Sequence, residues 1–109
     1  MTFLAINSQR SLYARQKSQL EFEKSIIVSR IATLQEEAGY LAEQMQGSDM
    51  DYTSSPQYQQ LHAAEMYYQT RQDNIDSQIT FLNEALNSFK TLANNNMKSS
   101  GQLNLGSGS

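Results

Sequence analysis

The chain has 109 residues, which limits it to one domain at most. Its 39% apolar and 17% charged residues are too patterned for disorder, although Gln, Ser and Asn make it polar for a globular core. A net charge of −3 gives no basic footprint for nucleic acid, and the absence of Cys excludes disulfides and thiolate metal sites.

Residues 1–6, with Phe3-Leu4-Ala5-Ile6, read as an apolar N-terminal arm, either a frayed end or a peptide that docks on a neighbour. The arm has no basic flank and its apolar run is short. The expectation is therefore no secretory signal and no membrane span, with a place in the cytoplasm or export without a cleaved signal.

A first helix is expected over 7–46, capped by Asn7 or Ser8. Tyr13, Leu20, Ile27, Leu34 and Leu41 recur every seven residues, and Ile31, Ala38 and Met45 complete a 4-3 spacing. Such a repeat keeps one stripe of a helix against a partner helix. The cations Arg10, Arg15, Lys17, Lys24 and Arg30 are interleaved with Glu21 and Glu23, which suits a solvated mixed face. Gly39 lies beside the seam and is weak in a helix interior. It marks either a close helix crossing or a tolerated defect.

Residues 47–55 form the turn. Gly47 is suited to the left-handed end of a helix, and Ser55-Pro56 to the start of the next. The second helix is expected over 56–95, with Leu61, Tyr68, Ile75, Ile79, Leu82, Leu86 and Phe89 as its seam. It should fade at Asn94-Asn95-Asn96, leaving 98–109 as a flexible tail after a hairpin body of 7–97. The fold class expected is all-α: a long antiparallel two-helix hairpin, coiled-coil-like, oligomeric or polymeric. Two registers satisfy the seams. One pairs residues whose numbers add to about 106 (Ile31 by Ile75, Leu20 by Leu86), and a neighbouring one lies near 102. The polar seam positions Lys17, Lys24, Glu65 and Gln72 are suited to choosing between them.

Phe22, Ile26 and Val28 on the first helix, and Tyr58, Met66, Tyr67, Phe81 and Leu92 on the second, fall off the seam. Two helices have no third layer to cover them, and a buried Phe or Ile is worth about 1.5–3 kcal/mol over an exposed one. A second copy is expected to cover them, through an assembly interface of Phe3, Leu4, Ile6, Phe22, Ile26, Tyr67 and Phe81. The alternative is a chain that breaks at Gly39 or at Thr70–Asn74 into a monomeric three- or four-helix bundle.

No reaction chemistry is legible, so no catalytic, cofactor-binding or metal residue is assigned and no enzyme is expected. His62 and Glu65 lie one helical turn apart, but a di-iron bundle needs two such units and the chain has one His. Glu36-Glu37 and Glu21/Glu23 read as solvated helix faces. Tyr40, Tyr52, Tyr58, Tyr67 and Tyr68 gather towards the tip, where packing, or contact with a partner or a sugar, would employ them.

The opening Ser8-Gln9-Arg10-Ser11-Leu12-Tyr13-Ala14-Arg15-Gln16-Lys17-Ser18-Gln19-Leu20-Glu21-Phe22, with Ser88-Phe89-Lys90-Thr91 near the end, resembles a family of small, uncharacterised bacterial helical proteins. That family implies no activity. The half from Ser55-Pro56 through Leu61, Tyr68, Arg71, Ile79, Leu86 and Phe89 is similar to the C-terminal half of type III secretion needle subunits, leaderless hairpins that stack into tubes. The chain departs from them in a longer first helix and in the residues beyond Phe89. Flagellin-like and type VII-secreted hairpins share the general shape, but the Trp-x-Gly turn of the latter is replaced here by Gly47-Ser48-Asp49. The resemblance implies a structural subunit that self-assembles into a filament or secretion-needle-like tube. The alternative function is a coiled-coil adaptor or chaperone-like protein in a small oligomer, binding another helical protein.

Overall fold

The computed structural model describes residues 2–47 and 51–108, with side chains given for these except Phe3 and 96–108. The chain is all-α. Helix α1 spans Phe3–Gln44, a short 3-10 turn spans Tyr52–Ser54, and helix α2 spans Pro56–Gly108. Two compact units are distinguished. Unit 1 holds residues 1–20 and 77–109, and unit 2 holds residues 21–76.

The first helix starts earlier than Asn7. Thr2 is its cap: the Ala5 N–H donates to Thr2 Oγ1 at 3.2 Å and the Ile6 N–H to the Thr2 carbonyl at 3.0 Å. Phe3-Leu4-Ala5-Ile6 are thus the first helical turn rather than an arm. The cause is visible in the seam, because Ile6 stands seven residues before Tyr13 and is fully buried. Starting the helix at Phe3 adds one heptad to the buried stripe. Within unit 1, Tyr13 and Phe89 meet as tilted rings with centroids 5.3 Å apart, and Ile6, Leu82 and Ala93 are buried.

Unit 2 is an antiparallel helical hairpin. Ile27, Ile31, Leu34 and Ile75 are buried, while Leu41, Leu61 and Tyr68 are half-buried. Lys24 Nζ lies 2.6 Å from Asp76 Oδ1, and Gln35 Nε2 donates to Glu65 Oε1 at 3.4 Å. The numbers in both pairs add to 100, so the hairpin sits close to the lower of the two expected registers and not near 106. Arg71 adds a fork onto a single oxygen, Nε and Nη2 reaching Glu23 Oε1 at 3.0 and 2.8 Å. These ion pairs are about two-fifths exposed, so each contributes no more than about 0.2–1 kcal/mol. The larger role of Lys24–Asp76, with the Gln35–Glu65 hydrogen bond, is to select a register that the apolar pattern leaves open.

The turn follows the sequence signals where it is described. The helix ends at Gln44, and Gly47 takes φ 85°, the left-handed conformation that favours glycine. Ser48, Asp49 and Met50, also part of the expected turn, lie outside the described residues. Ser55 caps α2: its Oγ accepts from the Tyr58 N–H at 3.0 Å and its carbonyl from the Gln59 N–H at 3.0 Å. Pro56 then opens the helix, where its missing N–H costs no hydrogen bond.

Helix α2 extends beyond its expected end, and both helices are unbroken, as the two-helix reading expects. Helix α2 passes Asn94-Asn95-Asn96 and runs to Gly108, where a tail was expected over 98–109. Extending an existing helix needs no new nucleus, and each poor residue costs only about 0.7–1 kcal/mol. Neither Gly39 nor Thr70–Asn74 breaks its helix. Nor does Gly39 mark a close crossing, since a Cβ built there meets nothing within 4 Å. Gly39→Ala is therefore expected to stabilise the protein by about 0.5–1 kcal/mol through the unfolded chain and helix propensity, measured as a higher urea midpoint with an unchanged slope.

Candidate assembly surface

The residues expected at an assembly interface divide into three groups. Leu4, Phe22, Tyr67 and Phe81 are 78%, 69%, 67% and 61% exposed, and Ile26 is also exposed. Ile6 is corrected: it belongs to the buried seam, for the heptad reason given above. The Phe3 side chain lies outside the described residues. Every residue assigned to the hairpin core is buried or half-buried: Ile27, Ile31, Leu34, Ile75 and Leu82 are buried, and Leu20, Leu41, Leu61, Tyr68, Ile79, Leu86 and Phe89 half-buried.

In unit 2 the exposed apolar residues of α1 have an order of their own. Phe22, Ile26, Ser29 and Thr33 follow a 4-3-4 spacing, so they form a second stripe displaced from the buried one. All four are exposed and uncharged. The polar members are partly quenched, because Thr33 donates its hydroxyl to the Ser29 carbonyl at 3.1 Å, and neighbouring Ser25 donates to the Phe22 carbonyl at 2.7 Å. A groove of about 460 Å³ runs along this stripe between Ser25, Ile26, Ser29, Arg30, Thr33 and Tyr68. A second groove of about 360 Å³ lies nearer the turn, lined by Glu37, Tyr40, Leu41, Gln44, Gln57, Gln60 and Leu61.

The tyrosines fall into separate groups. Tyr52 meets Tyr58 edge-on at 5.2 Å, and Tyr58 stacks on His62 at 5.9 Å with the rings 7° apart. Tyr67 and Tyr68 meet edge-on at 5.2 Å. Tyr40 is exposed at the second groove. His62 is thus an exposed member of an aromatic stack. Glu65, its one-turn neighbour, accepts from Gln35 and Gln69. Among the described residues no group of three or more His, Asp or Glu is placed to hold a metal, and no helix is long and apolar enough to cross a membrane.

Sequence reading missed Leu12, which is 48% exposed. It directly precedes the seam residue Tyr13, and the step of one residue around a helix is the signal that would have placed it off the stripe.

Asp51 caps the Tyr52–Ser54 turn by accepting from the Thr53 N–H at 3.1 Å. A hydrogen bond from the Thr53 side chain, and after it the one from the Thr53 N–H, hold its carboxyl below the ordinary aspartate range. A lowered folded-state value means the cap is intact above the unfolded-state value and is lost as pH falls through the folded one. Acidification below the ordinary carboxylate range is expected to shift the Thr53 amide resonance, and Asp51→Asn to remove that titration; a Thr53 amide insensitive to acid would contradict the assignment.

Comparison with protein-family models, with curated proteins and with solved structures gives no match to this chain.

Proposed function

We propose that this protein is a non-enzymatic structural subunit that assembles with copies of itself, into a filament or a tube of the secretion-needle kind. The observation that carries this reading is the exposure of Leu4, Phe22, Tyr67 and Phe81, each more than three-fifths open to water. Buried apolar surface is worth about 25 cal/mol per Å², so covering aromatic rings of this size is a substantial driving force. The second stripe on α1 supports the reading, because uncharged side chains at heptad spacing are what a further helix packs against. The resemblance of the second half to needle subunits points to an open polymer. Light scattering coupled to size exclusion tests the proposal. The mass of the eluting species should rise with loading concentration, whereas one constant dimer or tetramer mass would favour the adaptor reading and a search for a helical partner.

A further inference from the structure

The two units carry opposite charge. Unit 1 has five cations against one anion, a net of +4, and unit 2 has three cations against ten anions, a net of −7. The groove of unit 2 near the turn expresses the second sign locally. Its floor is apolar, with Leu41 and Leu61 half-buried, and its rim carries Glu37. Glu36 and Glu43 are exposed nearby on the same helix. Such a groove suits an apolar side chain flanked by cations and presented on a helix. Unit 1 presents one: Leu12 is 48% exposed, and Arg10 and Arg15, on either side of it, are exposed as well. Arg15 lies one turn after Leu12, so the two share a helix face.

Resting on the self-assembly reading, we infer that copies join head to tail, the Leu12 face of unit 1 in one copy seating in the Tyr40/Leu41/Leu61 groove of unit 2 in the next. The two surfaces differ, so the contact is heterologous and each copy retains one free surface of each kind. Repetition of such a contact gives an open polymer or a closed ring. Opposite charge steers the encounter and disfavours like units meeting.

The test is a charge swap in the full chain. One variant carries Arg10→Glu and Arg15→Glu; the other carries Glu36→Lys, Glu37→Lys and Glu43→Lys. All five positions are exposed, and far-UV circular dichroism establishes that each variant remains helical. Each alone should need about tenfold more protein than the native chain to reach half-assembly, equivalent to 1.4 kcal/mol. An equimolar mixture should recover assembly, because Glu on one copy then meets Lys on the other. Recovery also shows that neither variant failed by misfolding. If the native chain assembles but either variant alone assembles equally well, or the mixture recovers nothing, this contact is overturned and self-assembly stands. A native chain that scatters as a monomer at every concentration overturns both.

Discussion

Replacing Ile75 with Ala is expected to destabilise the protein by about 2–5 kcal/mol, the range for truncating a large aliphatic side chain in a packed core. Ile75 is fully buried on α2, in a unit where Ile27, Ile31 and Leu34 are buried as well. A core made between two helices has few side chains with which to fill a vacated space, so the upper part of that range is expected. Single domains are stable by only about 5–15 kcal/mol, and the loss is a large share of that. The midpoint of thermal unfolding should fall by roughly 10 °C or more. Val28 on α1 is 46% exposed, and Val28→Ala should move stability by no more than about 0.5 kcal/mol. Circular dichroism melts at one fixed protein concentration make the comparison, since assembly would otherwise add to apparent stability. Equal effects at the two positions would contradict the assignment of core and surface.

Replacing Phe81 with Asp is expected to do the reverse, leaving helicity close to native and abolishing assembly. Phe81 is 61% exposed on α2 in unit 1, so the folded protomer depends little on its ring. Burial of a Phe against another copy is worth about 1.5–3 kcal/mol, so Phe81→Ala should weaken assembly by about 10–100-fold. Asp also leaves a carboxylate desolvated without a partner, which costs more. Far-UV circular dichroism and light scattering on the same samples separate the two effects. Native assembly by the Asp variant would remove Phe81 from the interface. A variant that loses helicity would place its ring in the fold instead.

Much of this architecture is legible in the sequence because heptad spacing and end signals agree. The seam residues from Leu20 to Phe89 are buried or half-buried, Gly47 takes the left-handed conformation, and Ser55-Pro56 opens α2. The start of α1 was hidden because Asn7 and Ser8 are also good caps, while the decisive fact is that Ile6 continues the seam by one heptad. Register was hidden for a different reason. Both candidate registers set apolar residues opposite apolar residues, so pattern alone is indifferent between them. Lys24 and Glu65, polar members of the seam, pair with Asp76 and Gln35, and those distances settle the alignment in unit 2. The exposed apolar surface was legible residue by residue, through Phe22, Ile26, Tyr67 and Phe81. Its organisation was not, because the Phe22-Ile26-Ser29-Thr33 stripe mixes apolar with hydroxyl side chains, of which Thr33 bonds back to the Ser29 carbonyl. The opposite charge of the two units is not apparent along the chain, because unit 1 joins residues 1–20 to the distant 77–109.

Negative-stain electron microscopy of the native chain, over a concentration series at low salt, tests the central claim most directly. Open filaments or tubes that lengthen with concentration and shorten as salt is added are the predicted result. Uniform small particles, unchanged in size from the lowest concentration to the highest, would contradict it.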